Sequence, residues 1–219
     1  MTITAAIFDF GGVITASPFE AFNRLEAMRG LPHDLVRTIN ATDPDGNAWA
    51  LLERAEIDRA AFDSRFAAEA AALGHQLRGA DVLAVLAGAI RPGMVAALDA
   101  IRAAGLKLGC ITNNVPGGSG PAMANDAQSE SRYAAIFDRF DHVIESAKAG
   151  VRKPDPRIYA MMCEALAVTP QQCVYLDDLG INCKPAAAMG MVAIKVTGEA
   201  QALKELSDVL SLDLTGGPA

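Results

Sequence analysis

The chain has 219 residues, with 26 acidic against 19 basic side chains and a formal net charge of −7. That balance repels nucleic-acid backbones and anionic lipid surfaces, so neither is an expected partner. Hydrophobic residues make up 51% and charged residues 21%, which excludes a disordered chain and suits one domain, alone or carrying a smaller insert.

Residues 3–10 (ITAAIFDF) form a short apolar run followed by a Gly-Gly pair, and read as a buried strand ending at Asp9 and Phe10. Residues 16–91 contain no convincing strand. They are rich in Ala, Leu, Glu and Arg, with turn signals at Gly30-Leu31-Pro32 and Asp43-Pro44-Asp45-Gly46, and read as a helical module inserted after the first strand. Residues 94–104 are apolar at helical spacing, with Pro92-Gly93 before them and Gly105 after. A strand is expected over 106–112, and a Gly/Pro/Ser-rich mobile loop over 115–126. Strands follow at 141–146, 173–177 and 191–196, with helices at 156–167, 185–189 and 199–210, and a loose tail. Strands alternating with helices predict an α/β fold, a parallel sheet covered by helices on both faces.

No apolar run is long enough to span a bilayer, and the N-terminus lacks the basic-then-apolar build of a secretory leader. The four cysteines, Cys110, Cys163, Cys173 and Cys183, fall in no CxxC pair or zinc spacing and read as reduced, buried thiols. The expected location is cytoplasmic. His33, His75 and His142 show no metal spacing.

In open parallel sheets, ligands gather at the carboxyl ends of strands. Polar residues collect at those ends here: Asp9 on the first strand, Thr112, Asn113 and Asn114 on the second, Asp177 and Asp178 on the fourth, with Lys153 in a loop before a helix. A carboxylate such as Asp9 can attack a phosphoryl group. Its charge repels an anionic ester, so a divalent cation must neutralise the approach. Mg²⁺ takes hard oxygen ligands, which Asp9 and the Asp177-Asp178 pair supply. Gly11 and Gly12 let backbone amides and a carbonyl come close to phosphate and metal. Each residue also has an ordinary use: Asp177-Asp178 as a helix cap and its solvated neighbour, Thr112-Asn113 as a strand-ending turn, Lys153 as a loop lysine. Their gathering at equivalent strand ends favours a site.

In this order, FDFGGV (8–13), ITNN (111–114), VRKPDP (151–156) and YLDD (175–178) resemble the four signature segments of the haloacid dehalogenase-like superfamily. IESAKAGVRKPDPRIY (144–159) and VYLDDLGINCKPAAAMGMV (174–192) are similar to the N-terminal phosphatase domain of soluble epoxide hydrolases. The resemblance implies a Rossmann-like, three-layer core over residues 1–15 and 92–219, with a helical cap over 16–91. It implies Asp9 as nucleophile and metal ligand, Asp178 and the Gly11 carbonyl as further metal ligands, and Lys153 as charge stabiliser. Thr112, Asn113, Gly11 and Gly12 would contact phosphate. Asp177 would orient Lys153 or support the metal, and Asn182 matches a polar active-site position. One departure stands out. Phosphatases of the family usually carry a second Asp two residues after the nucleophile, as general acid and base, where this chain has Gly11, as some relatives that resemble working phosphatases also do. Loss of such a group costs about 10²–10⁴ in rate. A good leaving group, a water or a cap residue such as His33 would have to compensate.

The expected activity is Mg²⁺-dependent hydrolysis of a small phosphorylated metabolite through an aspartyl-phosphate. Two alternatives remain open: a 2-haloacid dehalogenase, which attacks with an Asp but needs no metal, and a catalytically weak protein that binds a phosphorylated ligand, which Gly11 favours. Trp49, Phe62 and Phe66 either line the mouth of the cap or pack between its helices.

Overall fold

The computed structural model describes residues 2–86, 88–115 and 127–215. Five strands, β1 (Ala5–Phe8), β2 (Lys107–Thr112), β3 (His142–Glu145), β4 (Cys173–Asp177) and β5 (Val192–Lys195), form one parallel sheet in the order β3-β2-β1-β4-β5. The apolar run of β1 takes the central position because both its faces are covered: Ala6 and Phe8 join one core cluster, Ala5 and Ile7 the other.

Between β1 and β2 lie α1 (Pro18–Met28), α2 (Leu35–Thr42), α3 (Ala48–Glu53), α4 (Arg59–Ala72), α5 (Gly79–Leu83) and α6 (Pro92–Ala103). After β2 come α7 (Ala127–Phe137), α8 (Ser146–Ala149), α9 (Pro156–Ala165), α10 (Gly180–Ala188) and α11 (Glu199–Leu210). Met94, Leu98 and Ile101 of α6 and Leu203 and Leu206 of α11 cover one sheet face with Ile136 of α7. Ile158, Tyr159 and Met162 of α9 and Ala186 of α10 cover the other. The result is the expected α/β three-layer core.

Helices α1–α5 have an apolar cluster of their own, built from Phe22, Val36, Ile39, Leu52, Phe62, Phe66 and Val82. Phe62 and Phe66 are fully buried within it, so their use is packing. Trp49 packs edge-on against Phe22 and Phe62 and also faces the cavity described below. The chain enters and leaves this insert side by side. Thr15 and Ile90 form an antiparallel bridge, Ala16 N–H donates to Ala89 O at 2.8 Å, and Arg91 N–H to Ile14 O at 2.9 Å.

Several elements differ from the sequence expectation. The first strand stops at Phe8, although Asp9 N–H still donates to Leu176 O at 2.8 Å, because the chain turns at Phe10, whose carbonyl accepts from Ile14 and Thr15. Helix α6 begins at Pro92 rather than after it, since proline is at home in a first helical turn. Helix α10 starts five residues before the expected Pro185, which it contains. The ring removes a bond only to the carbonyl of Ile181, an exposed residue. Helix α7 was not anticipated: its sequence is polar, and its apolar side chains find partners only across the fold, where Tyr133 and Phe137 pack on Phe10. Of the loop expected at 115–126, only Val115 lies within the described residues, and the tail beyond 215 lies outside them. All four cysteines are buried and unpaired. No described helix is long and apolar enough to cross a membrane.

Phe66→Ala should leave a cavity at the centre of the insert and cost about 3–5 kcal/mol, read as a lowered midpoint in urea unfolding. A loss below about 1 kcal/mol would show that the insert does not need its own core.

Candidate active site

Lys153 is the centre of the arrangement. It is 1% exposed, and its Nζ lies 2.8 Å from Asp9 Oδ1 and 2.9 Å from Asp177 Oδ2. The residue reaches this place from the loop before α9 because Asn113 clamps its backbone: Lys153 N–H donates to Asn113 Oδ1 at 2.9 Å, and Asn113 Nδ2 donates to Lys153 O at 3.0 Å.

Asp177, at the end of β4, is fully buried. Its carboxylate accepts from Leu179 N–H at 2.8 Å, Asn182 Nδ2 at 3.1 Å, Tyr175 OH at 2.5 Å and the Lys153 ammonium. Those donors occupy the lone pairs of both oxygens, so Asp177 orients Lys153 and has little capacity left for a metal. Asn182 is held in turn by Tyr159 OH on its carbonyl at 2.8 Å. Its side chain therefore serves Asp177, although the residue also lines the cavity. Asn113 is similarly committed, since its amide also donates to Glu53 Oε2 at 3.2 Å. Asn114 caps α8 through Ala147 N–H and ties down Glu145.

Asp9 and Asp178 face the same opening. Oxygens of Asp9, Asp177 and Asp178 lie within 4.8 Å of one another. The Asp178 carboxylate accepts from Ser17 Oγ at 2.7 Å. Gly12 has φ +78°, and a Cβ there would sit 2.2 Å from Asp178 Oδ2, so only glycine lets this carboxylate stand where it does. Gly11 is different: a Cβ there meets nothing within 4 Å. Thr112 is buried at the end of β2, on the cavity wall beside Asp9 and Gly11.

The sequence reading missed Ser17, Glu53 and Arg152. Glu53, at the end of α3, is buried; it accepts from Arg152 Nε at 2.6 Å and Trp49 Nε1 at 2.8 Å as well as from Asn113. Its one sequence signal was a carboxylate four residues after Trp49 on an apolar helix. Arg152 precedes Lys153 in the VRKPDP segment. His33 is exposed and pairs with Asp34, away from the cavity wall, so it is no stand-in for the missing Asp.

Above these groups is a cavity of about 410 Å³. Phe19, Phe22, Trp49 and Leu86 of the insert form much of its wall, with Val115 and Ile181 from the sheet side.

The charges are out of balance. Burial pushes the Asp9 carboxyl well above the usual range, the neighbouring Asp177 and Asp178 add to the rise, and Lys153 only partly opposes it. Burial also raises Asp178, against the Ser17 hydroxyl. For Lys153, burial alone would pull the ammonium down, yet Asp177 and Asp9 outweigh it and hold the group above its ordinary value. Three carboxylates around one ammonium leave surplus negative charge, which a divalent cation would neutralise. A carboxyl raised in the folded state contributes stability that is present at low pH and lost as pH rises through its folded value. Without divalent cations at pH 7.5, Asp9→Asn should therefore melt about 2–4 °C above wild type. Added Mg²⁺ should stabilise the wild type and leave the variant nearly unmoved in a thermal-shift titration. A variant less stable than wild type would mean that Lys153 needs the Asp9 charge more than Asp9 suffers from burial.

Comparison with known proteins gives a consistent family. The sequence model described as "haloacid dehalogenase-like hydrolase" matches residues 3–190. Bifunctional epoxide hydrolase 2 of Mus musculus is 30% identical over 100% of this chain and 41% of its own length. Phosphatase MT3486 of Mycobacterium tuberculosis is 31% identical over 92% of this chain and 90% of its own. The chain spans less than half the length of several curated relatives that it matches. Among solved structures, a HAD family enzyme of Bacteroides thetaiotaomicron in complex with magnesium and inorganic phosphate superposes with TM-score 0.56 at 17% identity, over 88% of this chain and 93% of that one. L-2-haloacid dehalogenase of Xanthobacter autotrophicus, with chloropropionic acid covalently bound, superposes with TM-score 0.60 at 21% identity, over 94% and 83%. At those identities the two structures speak for the fold. With the family signature covering most of the sequence and its four motifs converging on Asp9, Lys153 and Asp178, the chain belongs to the haloacid dehalogenase-like hydrolases.

Proposed function

We propose that the chain hydrolyses a small phosphomonoester through an aspartyl-phosphate on Asp9, with Mg²⁺ bound beside it. The observation that carries this reading is the Asp9 carboxylate 2.8 Å from a buried ammonium, beside a second carboxylate, Asp178, that Gly12 allows into the same opening. The donor set fits a hard cation: Asp9 and Asp178 offer carboxylate oxygens, and among the described residues the cluster holds no histidine or cysteine; the Gly11 backbone carbonyl would be a third ligand. When bound, the ion neutralises the approach of an anionic ester to an anionic nucleophile.

The chain's own groups divide the remaining work. Asp9 supplies the attacking oxygen. Lys153, fixed by Asp177 and Asn113, holds a positive charge where the phosphoryl oxygens gather. Thr112 offers a hydroxyl, and backbone amides around Gly11, Gly12 and Asn113 offer donors, to those oxygens. Asn182 and Tyr175 act through Asp177. Residues 16–91 act as a cap, and their apolar wall would receive the organic part of the ester. The buried, unpaired thiols support a reducing, cytoplasmic setting.

Dehalogenation would also begin with Asp9, but it must bind and release a halide and needs no cation, whereas the carboxylates here leave surplus charge for one. The likeness to a phosphatase along nearly its whole length favours the ester as well. Purified protein should hydrolyse p-nitrophenyl phosphate only with Mg²⁺, and Asp9→Asn should lower the rate at least about 10³-fold; full activity in that variant would remove the covalent mechanism. No chloride should be released from 2-chloropropionate. Gly11→Asp, for which the structure leaves room, should raise turnover of an alkyl phosphate about tenfold or more.

A further inference from the structure

We infer that Glu53, delivered to the cavity by α3 of the insert, is the general acid and base of the reaction, in place of the Asp that Gly11 lacks. The inference rests on the phosphatase reading above.

The other acidic groups on the cavity wall are committed or misplaced. Asp9 attacks, Asp178 faces the cation, and Asp177, behind Lys153 and off the cavity wall, accepts two or more hydrogen bonds on each oxygen, whereas Glu53 Oε1 accepts from Trp49 Nε1, with the Arg152 and Asn113 bonds on Oε2. Asp45 is exposed to solvent, whereas Glu53 is buried and lines the same cavity. Direction supports the choice. In-line displacement puts the leaving oxygen opposite the attacking one. Asp9 belongs to the floor formed by the sheet, so the leaving group points toward the insert. Glu53 stands on that side, 3.2 Å from the amide of Asn113, the residue that follows Thr112 and clamps Lys153.

Its surroundings suit a group that must lose and regain a proton. Burial favours the carboxyl form, while Arg152 Nε and Trp49 Nε1, at 2.6 and 2.8 Å, stabilise the carboxylate once the proton has gone. The helix end is anchored by Ser146 Oγ, which donates to Glu53 O at 2.7 Å, and the loop before the helix by Arg152 Nη1, which donates to Pro44 O at 3.0 Å. In the first step a bond forms between the Asp9 oxygen and phosphorus. The bond from phosphorus to the ester oxygen breaks, and that oxygen takes the Glu53 proton. In the second, water gives a proton to Glu53 and bonds to phosphorus, and the bond to Asp9 breaks. Inorganic phosphate leaves with both carboxyl groups restored.

A purely structural Glu53 would hold the insert to the sheet and nothing more, and leaving-group dependence separates the two roles. Wild type, Glu53→Gln, Gly11→Asp and the double variant are assayed with Mg²⁺ on p-nitrophenyl phosphate, whose leaving group needs little protonation, and on benzyl phosphate, whose leaving group needs it. Glu53→Gln should lower kcat on benzyl phosphate at least about 100-fold but on p-nitrophenyl phosphate less than about fivefold. Gly11→Asp should restore benzyl phosphate turnover to Glu53→Gln, by a larger factor than it raises that of the wild type. Equal losses on both esters, no loss on either, or no rescue by Gly11→Asp would overturn the assignment while leaving the phosphatase reading in place. A wild type inactive on both esters would remove both. If Glu53→Gln unfolds, judged by circular dichroism, Glu53→Asp takes its place, and an unchanged ratio between the two esters would overturn the assignment.

Discussion

The pairing of one buried ammonium with two carboxylates organises this molecule. A lysine at 1% exposure is unfavourable in a protein interior unless opposite charges meet it at hydrogen-bond distance. Asp9 and Asp177 do so from the ends of adjacent strands, β1 and β4. The same triad leaves negative charge in excess once Asp178 is counted, and this surplus is what the site offers to a cation. Tyr175, Asn182 and Leu179 N–H stabilise the triad from behind, and Asn113 fixes the loop that carries the lysine. An arrangement of this kind costs folding free energy.

Val115 from the sheet side packs into the insert's apolar cluster, and polar contacts between insert and sheet converge on the site. The insert's apolar side chains form a cluster apart from the two that sandwich the sheet. Ser17 meets Asp178, Glu53 meets Asn113 and Arg152, and Arg91 meets the Gly12 carbonyl at 2.7 Å. Placement of the insert and readiness of the site are thus coupled through the same few side chains. The two glycines after Asp9 illustrate how closely sequence and chemistry are matched here. Gly12 is dictated by a positive φ and by the approach of Asp178, whereas Gly11 has room for a side chain and carries none. Glycine at position 11 is therefore not a steric requirement.

Much of the fold was legible in the residues. Buried parallel strands are near-continuous apolar runs, and each of the five was placed to within about two residues, because covering both faces leaves little choice of side chain. The helices α9 and α11 were legible through Pro156 and a strong apolar stripe. Helix α7 was not, since its partner Phe10, just after β1, is distant in sequence, and the start of α10 was hidden by Pro185.

The site was legible in the same partial way. Asp9, Thr112, Asn113, Asp177 and Asp178 could be named from the sequence because residues at the carboxyl ends of parallel strands converge whatever the details of packing, and Lys153 from its place in a proline-stiffened loop before a helix. Tertiary structure alone decided how they share the work. It turned Asp177 and Asn182 inward to hold Lys153, left Asp178 facing the opening, and gave Asn113 a backbone to clamp. It also brought Ser17 and Glu53 to the cavity from segments whose local sequence carries no catalytic pattern, and joined Glu53 to Arg152 of the VRKPDP segment. A hydrogen bond between residues 99 positions apart, such as that from Arg152 to Glu53, depends on where two helices and a loop come to rest. Local residue patterns encode elements and strand ends, whereas the pairing of distant polar groups is fixed only when the whole chain has packed.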